Sequence, residues 1–130
     1  MPLVRIDLAE GTTLAFRKTL GEIVHHAMLA TLDVPKDDQF QIFTEHSRQN
    51  LIYDRDYLGV HRSEDCIFLQ ITLNRGRSID KKQAFYKTVA EGLQRELNVR
   101  KEDVFISLVE VNKEDWSFGN GEAQYVSPPE

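Results

Sequence analysis

Displaced by 65 residues, this 130-residue chain lies over itself without a gap, residues 2–43 on residues 67–108. Ile6, Leu8 and Gly11 meet Ile71, Leu73 and Gly76. Leu32-Asp33-Val34 and Phe40 meet Leu97-Asn98-Val99 and Phe105. Identical pairs are few, but apolar positions recur at constant spacing, the mark of an internal duplication. A unit this short does not bury an apolar face alone. The two copies must therefore share one core.

Within each copy the apolar period changes twice. Val4, Ile6 and Leu8 alternate with Arg5 and Asp7, as Leu69, Ile71 and Leu73 alternate with Gln70 and Thr72. That is the two-residue period of a strand. Gly11 and Gly76 end these strands, and Thr13 and Ser78 stand as N-caps for helices. Phe16, Leu20, Ile23, Val24 and Ala27 then fall at helical spacing, as do Phe85, Val89, Leu93 and Leu97. The helices are expected to stop at Asp33-Val34-Pro35 and Asn98-Val99-Arg100, ahead of strands over residues 39–45 and 104–111.

A strand-helix-strand unit crosses over right-handedly and leaves its two strands parallel. Two units side by side predict a single α+β domain over residues 1–130. It is a tandem β-α-β repeat, a four-stranded mixed sheet with two helices on one face. The last strand carries Val104, Ile106 and Leu108 on one side and Phe105 and Val109 on the other, which predicts a central strand buried on both faces. Since helices cover one face only, a second subunit is expected on the other. Residues 46–62 and 112–126 read as loops or short hairpins, turning at Gly59 and at Gly119-Asn120-Gly121.

Composition removes several function classes. A net charge of −5 without a basic stripe gives no support to a nucleic-acid partner. One cysteine, Cys66, excludes an internal disulfide, fits a reducing compartment, and reads as a small core residue ahead of an apolar run. No signal-peptide pattern and no membrane-spanning run are present, so a cytoplasmic protein without a membrane partner is expected. His25 and His26 are neighbours on a helix and diverge by about 100°. His46 and His61 are isolated. No cysteine or histidine pair has ligand spacing, and no phosphate-cradling loop is present.

Four features carry candidate chemistry, each with a plainer reading beside it. A small second residue favours removal of Met1, which would leave Pro2 as a secondary amine able to act as base, acid or imine-forming nucleophile; proline also simply opens edge strands. Arg75 and Arg77, two apart in extended chain, point the same way and suit a carboxylate; they also read as solvated arginines at a strand end. Glu10 and Thr12 occupy their places in the first copy, so the halves have diverged in role. Asp38 can orient water or polarise a substrate, while its repeat partner Asp103 points to turn or capping work for both. Trp116, Phe118 and Tyr125 lie in a glycine-flanked aromatic segment that either walls a pocket or packs locally.

In combination these residues resemble a known family. The start Pro2-Leu3-Val4-Arg5-Ile6-Asp7-Leu8-Ala9-Glu10-Gly11, the Val34-Pro35-Lys36-Asp37-Asp38 turn, Arg75-Gly76-Arg77 and Asp115-Trp116-Ser117-Phe118-Gly119 resemble the tautomerase superfamily, and within it the malonate semialdehyde decarboxylase branch. The resemblance covers nearly the whole chain, with small differences around residues 47–66 and at the extreme C-terminus, Ser127-Pro128-Pro129-Glu130. The resemblance implies a homotrimer of β-α-β-β-α-β subunits without metal or organic cofactor. It also implies that Pro2 is the catalytic amine, that Asp38 activates water or tunes the proline, and that Arg75 and Arg77 bind the substrate carboxylate. Trp116, Phe118 and Tyr125 would form the hydrophobic wall. Where the family often carries proline between its arginines, this chain has Gly76.

The expected substrates are small oxo acids. Decarboxylation of a malonate-semialdehyde-like acid to an aldehyde, with accompanying hydratase activity, is the leading expectation. Keto–enol tautomerisation of enol or aryl pyruvates is the alternative. A non-enzymic binding protein that keeps the fold is a third reading, and retention of Pro2 with both arginines counts against it.

Overall fold

In the computed structural model of the protein, residues 2–126 are described. The expectations about Met1 removal and about the 127–130 ending fall outside them. β1 (Leu3–Ala9) leads through α1 (Leu14–Thr31) to β2 (Gln41–His46), and β3 (Ile67–Asn74) leads through α2 (Ile79–Leu97) to β4 (Val104–Val111). The Thr13 hydroxyl accepts the Phe16 N–H at 3.0 Å and the Ser78 hydroxyl that of Lys81 at 3.2 Å, so both helices begin at their expected caps. Past each helix the chain turns through one left-handed residue, Asp33 at φ 57° and Asn98 at φ 54°.

The sheet runs in the order β2-β1-β3-β4. Each copy contributes a parallel pair, β1 with β2 and β3 with β4, and the copies join through antiparallel β1 and β3. The repeat extends into the core. Ile6 and Ile71, Leu8 and Leu73, Leu20 and Phe85, Val24 and Val89, Met28 and Leu93 are none of them more than 2% exposed. One apolar layer thus lies between the sheet and both helices, related to itself by the duplication. Cys66 sits fully buried at its edge, where burial pushes the thiol up to about 11, a core residue and no nucleophile.

The duplication also runs further than the aligned residues. Ser47 and Asn112, 65 apart, precede matching 3₁₀ turns at Arg48–Asn50 and Lys113–Asp115. The ion pairs Arg17–Glu45 at 3.1 Å and Lys82–Glu110 at 2.6 Å keep the same offset. Neither following segment contains a strand, so both are loops and the hairpin alternative falls away.

One expectation is corrected. β4 is an edge strand, not a central one. Its two-sided apolar pattern has a different cause: Val104, Ile106 and Leu108 pack against the core, while Phe105 and Val109 remain 44% and 38% exposed on the face that carries no helix. Ile42 on β2, at the opposite edge, is 42% exposed.

The helices meet closely where α2 has Gly92. A Cβ there would stand 2.8 Å from Cγ2 of Ile23 on α1, a side chain that is itself only 7% exposed and has nowhere to retreat. Gly92→Ala is therefore expected to destabilise the fold by about 1–3 kcal/mol despite alanine's better helix propensity. Urea unfolding checks this; an unchanged or raised midpoint would show that the helices can separate freely.

Candidate active site

The β1–β3 pairing decides which residues meet. Leu3 lies opposite Thr72, so the antiparallel register carries Pro2 alongside Leu73 and brings the end of β3 to the start of β1. On the other side Val4 lies opposite Gln41, so the parallel register carries Pro2 alongside Gln39, next to Asp38. Pro2 is buried between these neighbours. The first copy's proline and the second copy's arginines are thereby delivered to one end of the sheet.

Arg75 prolongs the ladder by donating its N–H to the Val111 carbonyl at 2.9 Å, and its exposed guanidinium makes no hydrogen bond or ion pair with the described residues. Gly76 follows at φ 123°, a conformation closed to proline, whose ring fixes φ near −65°. Its N–H is donated to Glu110 Oε2 at 3.3 Å, and Lys82 holds the other oxygen of that carboxylate at 2.6 Å. The loop between the arginines is thus built on glycine and anchored from β4. It is not the simple extended chain that the two-residue spacing predicts.

Arg77 is the more fixed arginine. Its Nε donates to the Leu32 carbonyl at 3.1 Å and Nη1 to the Asn74 carbonyl at 2.9 Å. Leu32 is the C-cap of α1, whose last turn has no basic residue, so Arg77 supplies the cation that this helix end favours. Two of five donors are engaged, and the others remain for a ligand. Both arginines, with Lys81 and Asp33, line an open depression of about 400 Å³. Lys81 and Asp33 pair at 2.5 Å, which holds the Asp33 carboxyl below its usual range.

Asp38 closes the turn after α1, with its N–H on the Pro35 carbonyl at 3.0 Å. Burial pushes its carboxyl above the usual range, against nearby positive charge that includes His25 and Arg77. His25 is 7% exposed, and its Nε2 donates to the Lys36 carbonyl at 2.9 Å, pinning the turn from beneath. Asp103, the repeat partner, is differently engaged. It accepts from the Ser63 N–H at 2.7 Å and the Ser63 hydroxyl at 2.6 Å, which ties it into the framework.

The aromatic segment folds over the same end. Trp116 and Phe118 stack with centroids 5.6 Å apart, and Tyr125 meets Phe118 edge-on at 5.1 Å. Burial first, then the charge of Asp38, raises the Tyr125 hydroxyl, while Arg77 and a hydrogen bond to Asn74 pull it back. Asn74 is the joint: its Oδ1 accepts from Trp116 Nε1 at 2.7 Å, and its carbonyl accepts from Arg77. Gln124 braces the glycine turn by accepting the Phe118 N–H at 2.9 Å and donating to the Gly119 carbonyl at 2.8 Å.

All seven expected site residues therefore lie at one end of the molecule. Asn74, Lys81 and Gln124 belong to that neighbourhood and were not singled out by sequence, and His25, weighed there only as a metal ligand, belongs to it as well. Only Asn74 left a legible trace, as the polar residue directly ahead of the arginine pair. Among the described residues no group of His, Cys, Asp or Glu is arranged to hold a metal, and no helix is long and apolar enough to cross a membrane.

Comparison with known proteins agrees with this geometry. Two family profiles, both described as "Tautomerase enzyme", match residues 38–119 and 2–60. Probable tautomerase YusQ of Bacillus subtilis (strain 168) is 40% identical over 126 residues, 97% of this chain and 99% of that one. FG41 malonate semialdehyde decarboxylase inhibited by 3-bromopropiolate superimposes with a TM-score of 0.88 at 36% identity, covering 95% of this chain and 94% of that one. A second malonate semialdehyde decarboxylase, studied for its decarboxylase and hydratase activities, gives 0.88 at 34% identity, covering 95% of each. This chain belongs to the tautomerase superfamily, on the side that includes malonate semialdehyde decarboxylase.

Proposed function

We propose that the protein is a cofactor-independent decarboxylase of a short 3-oxo acid resembling malonate semialdehyde, with Pro2 as the catalytic amine once Met1 is removed. The observation that carries this reading is the shared electrostatic neighbourhood of Asp38, Arg77 and Tyr125 beside the start of β1. A free α-amine titrates near ~7.7–8. An ionised Asp38 raises that value, whereas burial and the two arginines lower it. A cationic Pro2 suits decarboxylation and hydration.

In the proposed reaction Arg75 and Arg77 grip the substrate carboxylate and fix the bond to be broken. The Pro2 ammonium donates to the 3-oxo oxygen. The bond between carboxylate carbon and C2 breaks, its electron pair enters the C2–C3 bond as the carbonyl becomes an enol, and carbon dioxide leaves. Reprotonation at C2 gives the aldehyde. Trp116, Phe118 and Tyr125 keep water from the fading carboxylate charge, while Asp38 directs water when hydration is the outcome. Tautomerisation of enol or aryl pyruvates by a neutral Pro2 is the second reading, favoured by the burial of Pro2 and by the likeness to a probable tautomerase. The homotrimer proposal rests on the uncovered sheet face, where Ile42, Phe105 and Val109 are exposed. A cytoplasmic location accompanies this reading.

Mass spectrometry is expected to find the chain without Met1, and carbon dioxide release from malonate semialdehyde is expected to fall about 10²-fold or more in Pro2→Ala. Arg75→Ala should chiefly raise KM. Retained Met1 in an active protein would remove Pro2 from the chemistry, and ketonisation of phenylenolpyruvate without carbon dioxide release would select the second reading.

Asp38 has a folded-state pKa raised above its unfolded value, so its contribution favours folding below the unfolded value and is lost as pH rises through the folded one. Asp38→Asn should accordingly be more stable than the parent at pH 7, with the advantage shrinking in acid, while losing activity. Thermal unfolding across pH tests this; a variant destabilised at neutral pH would contradict it. Sedimentation equilibrium is expected to give about three chain masses, and a monomer at micromolar concentration would rule out the trimer.

A further inference from the structure

We infer that the opposite end of the sheet holds a second binding site, one that takes a small organic cation. The pairing that brings Arg75-Gly76-Arg77 to the start of β1 also brings Glu10-Gly11-Thr12 to the start of β3. A cavity of about 570 Å³ opens there, larger than the depression at the arginines and of the size that small-molecule sites have.

The backbone of this second end repeats the first. Gly11 is left-handed at φ 105°, as Gly76 is at φ 123°. Glu45 accepts the Thr12 N–H at 3.1 Å, and Glu110, 65 positions later, accepts the N–H of Gly76, one position short of the match to Thr12. The side chains, however, reverse the electrostatics. Glu10 stands where the other end has Arg75, Thr12 where it has Arg77, Phe16 where it has Lys81, and Asn98 where it has Asp33.

The arginines of the cavity are already engaged. Arg48 pairs with Asp65 at 2.7 Å, and Arg100 with Glu102 at 2.8 Å and Asp103 at 3.5 Å. Glu10 is different: it is exposed at the mouth, its carboxylate makes no hydrogen bond or ion pair with the described residues, and with Asp65 and Asp103 it outnumbers the two arginines of the lining. The same cavity is lined by Phe16, Leu97 and Val99. A carboxylate at a cavity of mixed lining, polar on one part and holding an aromatic ring and aliphatic side chains on another, suits an ammonium carried on a short hydrocarbon body. The carboxylate accepts its N–H groups, and the ring attracts the remaining charge. The same Glu10 repels the anions that the arginine end is built to hold. The duplicated fold thus offers two sites of opposite charge preference.

Benzylammonium and benzoate, titrated separately into the full chain labelled with ¹⁵N, test this. Benzylammonium is expected to shift the amides of Gly11, Thr12, Ser63 and Asn98 saturably and to leave Gly76 and Arg77 unmoved, whereas benzoate should do the reverse. Glu10→Gln should weaken benzylammonium at least fivefold, and Arg75→Ala should leave it unchanged. Benzylammonium that shifts neither set, shifts both equally, or binds Glu10→Gln as tightly as the parent would overturn the inference.

Discussion

The antiparallel pairing of β1 with β3 is the contact on which everything else in this molecule depends. It joins the two copies, closes the core layer between sheet and helices, and sets the address of every functional group. Had the copies joined in parallel, Pro2 would lie beside Ile67 and the arginines beside Glu10 and Thr12. Antiparallel joining places the beginning of one copy against the end of the other. Each end of the sheet is therefore a composite, and the two ends can diverge without disturbing the core.

Divergence is clearest in the two buried-turn carboxylates. Asp103 is 3% exposed, and both of its oxygens accept hydrogen bonds from Ser63, which offsets the cost of desolvating a charge. Asp38 is only half-buried, yet burial still raises its pKa. The same turn backbone thus carries one carboxylate fixed by Ser63 and one whose pKa is raised by burial. Perturbed carboxylates of the second kind concentrate at functional sites. The comparison within one chain is a stronger ground for reading Asp38 as functional than its sequence context, where both look like turn residues.

The architecture was largely legible because it depends on local periodicity. The alternation of Val4, Ile6 and Leu8, the helical stripe through Phe85, Val89 and Leu93, and the caps Thr13 and Ser78 each follow from nearest-neighbour geometry and survived intact. The position of β4 was not legible, because periodicity reports burial and says nothing of what does the burying. A strand apolar on both faces reads as central whether its second face meets another layer of the same chain or lies uncovered. The supports of the site were hidden for a related reason. His25 and Asn74 act through single hydrogen bonds to backbone or side chains many positions away, and no spacing rule encodes such partners. Gly76 shows the converse. Its left-handed φ could not be foretold from a glycine alone, which also tolerates the extended form.

That glycine bears on how a carboxylate would be held. Proline between two arginines would fix the loop through its ring and leave no N–H to anchor. Here the loop is fixed from outside, by the Gly76 N–H on Glu110 and by Lys82 on the same carboxylate. The two guanidinium groups consequently differ in freedom. Arg77 is tethered to the C-cap of α1 and to Asn74, so it shares its position with the aromatic wall that Asn74 also holds. Arg75 is exposed and attached only through its backbone. In the proposed reaction this makes Arg77 the preorganised half of the carboxylate grip and Arg75 the half that must be ordered by substrate. Ordering a long side chain costs entropy at the moment of binding. The tethered arginine should therefore govern where the substrate sits, and the exposed one how long it stays.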